Sequence, residues 1–202
     1  NSWNGLPLES RYGASAWIAG SYDPDQNLIL AGVGQPYPWI SEMNGLLPVS
    51  SNPNVTNDAL YTNSTLAIDP NTGELKWYYQ YLPADSLDLD YVYERLLIDL
   101  PVNGKMRKTV VTTGKIGMIE AIDRTTAEWL WAKETVPQNI IAAVDPKTGA
   151  KTINPDIVPR IGQTTYNCPA DPGGKAWQAT AYSPRTGALY LPTVEFCSNT
   201  TP

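Results

Sequence analysis

Residues 83–94, PADSLDLDYVYE, place four acidic side chains within twelve positions, and Asp88 and Asp90 stand two apart. On an extended backbone, residues i and i+2 point to the same side. Two carboxylates so placed repel each other unless a cation, a shared proton or water separates them. A hard metal ion with oxygen ligands would hold them together, and a buried carboxylate beside it could take a proton as a general base. The plain alternative is a solvated acidic loop, because runs of charge usually face water.

Composition removes several other chemistries. The chain has no histidine, so it holds no Ser-His-Asp triad, no Cys-His pair and no His-ligated zinc or haem. Its two cysteines, Cys168 and Cys197, lack CxxC spacing and read either as buried small apolar residues or as one disulfide. A net charge of −6, with no basic patch interleaved with aromatics, argues against a nucleic-acid partner. No apolar run reaches the roughly 18 residues of a membrane span. The chain starts at Asn1, which reads as a processed start or as an internal piece of a longer protein.

The elements that must position the acids are strands. Eighteen Pro and fifteen Gly imply many turns and little helix. Short apolar or β-branched runs predict strands at 16–21, 28–33, 65–68, 75–80, 108–113, 117–122, 129–133, 140–144, 179–182 and 188–191. Residues 91–97 suggest one short helical turn. The segments DPNTG (69–73), DPKTG (145–149) and SPRTG (183–187) predict hairpin turns, with Pro presetting φ and Gly supplying a positive φ. Residues 67–77, AIDPNTGELKW, align with 121–131, AIDRTTAEWLW, at an offset of 54, and Ser21–Pro24 aligns with Ala181–Pro184 at 160, close to three periods. All-β repeats of about this length mean four-stranded propeller blades. Trp77 and Trp131 are then structural docking residues. About four blades cannot close a ring, so further blades are expected. Residues 41–57 read as a surface loop and 155–176 as an irregular loop on the functional face.

Successive blocks of the chain resemble the PQQ-dependent quinoprotein alcohol dehydrogenases. They are GASAW (13–17), GSYDP (20–24), GQPYPW (34–39), YTNST (61–65), the Trp77 turn, 86–99, TGK (113–115), Asp123-Arg124 and GGKAW (173–177), in that order. The resemblance implies an all-β fold, with residues 1–202 forming part of an eight-bladed β-propeller around pyrroloquinoline quinone (PQQ). It implies that Trp17 forms the floor under the cofactor, that Asp88 is the catalytic base, and that Lys115 hydrogen-bonds the reactive quinone oxygen. Ala176 and Trp177 fall at the cofactor pocket, with Ala176 where the family often has Asn. Gln35 stands where methanol dehydrogenases carry an Asn metal ligand. With Asp88 and Asp90 it implies a site for Ca²⁺ or a lanthanide ion, Asp90 matching the extra acid of the lanthanide branch. A metal-binding Glu would lie upstream of Asn1. The family's His and Trp ahead of the base are Ala84 and Leu87 here.

The implied reaction oxidises a small alcohol or polyol to an aldehyde or ketone while two electrons reduce the quinone. The implied setting is the periplasm, with an electron acceptor such as a cytochrome c and with Cys168 and Cys197 bonded to each other. Two alternatives remain at this stage. One is a non-catalytic quinoprotein-like propeller serving as an interaction scaffold, which would have no reason to keep Trp17, Asp88 and Lys115 together. The other is a sugar or polyol dehydrogenase of the same cofactor family.

Overall fold

In the computed structural model, which describes all 202 residues, the chain folds as antiparallel sheet with two 3₁₀ turns and no α-helix. Strands β1 (Ser21–Asp23), β2 (Leu28–Gly32), β3 (Ser64–Ile68) and β4 (Leu75–Gln80) form one sheet in sequential order. Strands β5 (Leu96–Val102), β6 (Lys105–Thr113), β7 (Met118–Asp123) and β8 (Trp129–Glu134) form a second. Three two-stranded ladders follow. They pair β9 (Ile141–Val144) with β10 (Lys151–Ile153), β11 (Thr165–Asn167) with β14 (Ser198–Thr200), and β12 (Ala181–Ser183) with β13 (Ala188–Tyr190). Of the roughly four blades expected, two are complete four-stranded sheets.

The 54-residue repeat is physical. Ala67 pairs with Trp77 and Ile68 with Leu75 across a register shift. Ala121 pairs with Trp131 and Ile122 with Trp129 across the same shift. Each turn closes by an i+4 hydrogen bond to its first residue: Gly73 to Asp69, Ala127 to Asp123, Gly149 to Asp145 and Gly187 to Ser183, at 2.8 to 2.9 Å. The fourth residue after each Asp or Ser has positive φ, which Gly adopts freely and Ala127 adopts at +62°. Trp77 packs against the main core and Trp131 against a smaller cluster in the second blade, as their structural assignment requires.

The main core lies between the two sheets and joins Leu28, Leu30, Val110, Ile116 and Ile122 to Tyr81, Leu82, Leu87, Leu89 and Tyr91. The acidic stretch therefore runs through the interior. Asp85, Asp90, Tyr91 and Tyr93 are all buried, which overturns the solvated-loop alternative. Apolar residues at 87, 89, 91 and 92 supply the burial that the run of charges obscured. Arg95 anchors the far end of the stretch. It is buried and donates to Ser64 O at 3.0 Å, Tyr91 O at 2.7 Å and Thr65 Oγ1 at 2.9 Å, tying β3 to the entry of β5. Arg124 adds a second inter-blade clamp, reaching Asp23 at 2.8 Å, Asp99 at 3.0 Å and Asp25 at 3.3 Å.

Three local expectations change. No helical turn forms at 91–97, because β5 begins at Leu96 and pairs with β6 over seven positions. The strand expected at 16–21 begins only at Ser21. The loop at 41–57 is partly interior: Ser41, Asn44 and Leu46 are buried, and Leu46 packs with Trp3 and Ala59.

Candidate active site

The site is assembled from loops that leave the strand ends. β6 ends at Thr113, and the turn after it carries Lys115. Gly114 permits this turn to lie against the Tyr91 ring, which a Cβ there would strike. The Lys115 N–H donates to Asp90 O at 3.0 Å, and Lys115 O accepts from Gly174 N–H at 2.7 Å. Lys115 is thus clamped between the acidic stretch and the Gly-Gly loop. A Cβ on Gly173, whose φ is +79°, would collide with the Lys115 side chain.

Asp88 and Asp90 do converge, but not by simple alternation. Asp88 has φ +60°, a left-handed conformation that Asp tolerates better than most residues. Both carboxylates then meet the Lys115 ammonium, Asp88 Oδ2 at 3.2 Å and Asp90 Oδ2 at 3.5 Å. Lys115 Nζ also donates to Asp88 O at 2.8 Å. Burial pushes the Asp88 carboxyl above its usual range; Asp90 and Asp171 act in the same direction and Lys115 opposes them. Burial likewise raises Asp90, against the pull of Lys115 and of the Gln35 N–H.

These groups open onto a cleft of about 380 Å³ whose lining includes Trp17, Asp88, Asp90, Tyr93, Lys115, Asp171, Ala176 and Trp177. Trp17 is 50% exposed and Trp177 67% exposed, so two large aromatic surfaces face open space. Trp17 meets Tyr93 edge-on at 5.9 Å. A smaller cavity of about 210 Å³ shares Asp88 and Asp171 with the cleft and is walled by Trp39, Leu87, Asn167, Pro169, Ala170 and Thr200. Asp88 stands between the two. Cys168 and Cys197 form a disulfide immediately beside Pro169.

Gln35 does not line the cleft. It lies behind Asp90, where its N–H donates to Asp90 Oδ1 at 3.2 Å and its buried Oε1 has no hydrogen-bond partner. Gly34 makes the approach possible, since a Cβ there would run into Asp90 Oδ1. A buried, unpartnered amide oxygen on a residue whose N–H holds Asp90, together with the carboxylates of Asp88 and Asp90, is an all-oxygen donor set, which suits a hard cation. Two acids converge here rather than three or more, so calcium's six to eight oxygens need donors beyond these side chains. The open Trp17 and Trp177 faces and the Lys115 donor on the same cleft fit a flat, carbonyl-bearing cofactor. Tyr93 and Asp171 were not anticipated from the sequence. Tyr93 had a signal, two places beyond Tyr91 at the end of an apolar alternation, whereas Asp171 had none.

Comparison with known proteins gives the same direction. Residues 3–143 match the family described as PQQ: Glucose/ethanol/alcohol dehydrogenase, beta-propeller domain. The chain is 36% identical over 185 residues to the dehydrogenase subunit of an alcohol dehydrogenase (quinone) from Komagataeibacter europaeus, covering 89% of this chain and 23% of the relative. It is 33% identical to the quinohemoprotein alcohol dehydrogenase ADH-IIG of Pseudomonas putida, covering 92% of this chain and 25% of that protein. The solved structure of that type of enzyme from Pseudomonas putida HK5 superposes with a TM-score of 0.83 at 33% identity, over 94% of this chain and 27% of that one. A europium-containing methanol dehydrogenase superposes with a TM-score of 0.83 at 31% identity, over 93% of this chain and 31% of that one. The chain spans about a quarter of the length of the curated relatives it matches. Its two repeated blades, its buried acidic stretch and its family match together establish that the chain belongs to the PQQ-dependent alcohol dehydrogenase β-propeller family.

Proposed function

We propose that residues 1–202 are part of one propeller domain of a dehydrogenase that oxidises a small alcohol with PQQ and a hard metal ion. The observation that carries this reading is the meeting of Trp17, Asp88, Asp90, Lys115 and Trp177 on a single cleft. When bound, PQQ serves as the two-electron acceptor for the carbinol carbon, and the metal ion supplies Lewis-acid polarisation. Asp88 takes the hydroxyl proton, and its raised affinity for a proton suits a base. Lys115 holds both carboxylates in place and offers a cationic donor to the cofactor's reactive oxygen. Trp17 and Trp177 hold the cofactor plane. Gln35, Asp88 and Asp90 hold the metal. The smaller cavity on the other side of Asp88, walled by Trp39, Leu87, Pro169 and Ala170 along with Asn167 and Thr200, takes the rest of the alcohol. Electrons leave to an acceptor such as a cytochrome c, in a periplasmic setting where the Cys168–Cys197 bond persists.

The test is the full-length apo-protein reconstituted with PQQ and either Ca²⁺ or La³⁺, in wild type, Asp88→Asn and Asp90→Ala. Each added anion at an ion favours a trivalent cation, because attraction scales with charge. Wild type is expected to work with lanthanum at least as well as with calcium. Asp88→Asn should lose turnover by about a hundredfold or more, and Asp90→Ala should lose lanthanum activity. Calcium activity alone in wild type, or lanthanum activity intact in Asp90→Ala, would remove Asp90 from the metal shell. Full turnover in Asp88→Asn would end its assignment as base.

A further inference from the structure

The segment 172–180 brings Ala176 and Trp177 to the cleft, yet it has no regular secondary structure. Besides the backbone bonds that Gly174 makes to Lys115 and Val194, one ion pair between a buried lysine and a half-buried glutamate holds it. The Lys175 side chain has no exposed surface, and its ammonium donates to both Glu94 oxygens, at 2.7 and 2.9 Å. Glu94 Oε1 also accepts from Thr180 N–H at 2.7 Å, so a single carboxylate grips the segment on both sides of Trp177. Glu94 is itself fixed to the second blade, where its carbonyl accepts from Thr112 Oγ1 at 3.0 Å. The Lys175 ammonium lies 4.5 Å from the centroid of the Tyr93 ring, and Tyr93 meets Trp17 edge-on.

Stability alone does not call for this pair. Buried ion pairs can often be replaced by apolar residues at little or no cost to the fold. What distinguishes this one is what it joins: Tyr93, beside the ammonium, lines one side of the cleft, and Ala176, Trp177 and Gln178 of the gripped segment line the other. We infer that Glu94 and Lys175 are positioning residues whose ion pair fixes the spacing between the Trp17–Tyr93 wall and the Ala176–Trp177 wall, and so sets the slot for a flat quinone. The inference rests on the proposal that the cleft binds PQQ. Neither residue touches the reacting atoms; both act through the aromatic residues they hold.

The experiment titrates PQQ into the full-length apo-protein, following tryptophan emission and the absorption band of the bound quinone. The double variant Glu94→Gln/Lys175→Met removes both charges together, so neither is left buried and unpaired. Glu94→Asp keeps the pair but shortens its reach by one methylene, and serves where the double variant does not fold. Both variants are expected to bind PQQ about tenfold or more weaker than wild type, with the absorption band displaced toward that of free PQQ and the melting temperature little changed. Wild-type affinity and an unmoved band in a folded variant would overturn the inference while leaving the cofactor reading intact. Failure of wild type to bind PQQ would overturn the cofactor reading, and this inference with it.

Discussion

Lys115 is the residue on which the local electrostatics turn. Its ammonium is the only cation within reach of both Asp88 and Asp90. Lys115→Met leaves two raised carboxyls facing each other, so steady-state kinetics of the full-length enzyme should show kcat reduced by about a hundredfold or more. Asp85 gives a separate pH signal. It is fully buried and accepts from Leu87 N–H, Leu89 N–H and Asn63 Nδ2, yet burial pushes its pKa from 3.8 up to about 6. The folded state therefore binds this proton more tightly than the unfolded state. Its stabilising contribution is complete below pH 3.8 and is lost as pH rises through about 6. Asp85→Asn should be less stable than wild type, by about 1–3 kcal/mol, since an acceptor is lost among donors. The gap should narrow from pH 4 to pH 7 in denaturant titrations; a gap that widens would contradict the sign. The roles proposed for Asp88, Lys115 and Trp17 could be read from ordered motifs. Asp85 looked like one more acid in a run, because burial by residues distant in sequence leaves no local mark.

The blade hairpin is the element that the sequence displayed most openly. Its turn residues and its Trp spacing are local chemistry, and the structure repeats even the register shift after Ala67 and Ala121. One hairpin breaks its own rule. Ala127 occupies the positive-φ position that Gly73, Gly149 and Gly187 fill elsewhere. Left-handed backbone costs a non-Gly residue about 1–2 kcal/mol, and the flexibility of Gly in the unfolded chain offsets about 0.5–1 kcal/mol of that. Ala127→Gly should therefore raise stability by a few tenths to about 1 kcal/mol, measured as a higher denaturation midpoint. Strand β5 went unread because Asp99 and Pro101 interrupt its alternation, and Pro101 is tolerated opposite Met106 near the hairpin end. The short strands β11 and β14 pair over a separation that no local pattern encodes.

Taken whole, the molecule is a sector of a ring, and its cleft is open. Residues 1–202 expressed alone should show no turnover and weak or no PQQ binding by fluorescence titration; a tight stoichiometric complex would show the site to be more local than proposed. The Cys168–Cys197 bond closes a loop of 29 residues, worth on the order of 3 kcal/mol in the chain-entropy model. Replacing both with Ser should lower the denaturation midpoint of the full-length protein accordingly. The β5–β6 hairpin carries a further consequence. Its tip, Asn103-Gly104, is exposed and joins two strands that pair along seven positions, and such tips are where chains tolerate cutting. A cut there in the full-length protein would put Trp17, Gln35, Asp88 and Asp90 on one fragment and Lys115 and Trp177 on the other. Neither fragment alone carries the carboxylates together with their cation, so quenching by the quinone would appear only when the two halves meet. The same hairpin that stiffens the second blade is thus a natural seam for a split reporter, with cofactor capture as the signal of reassembly.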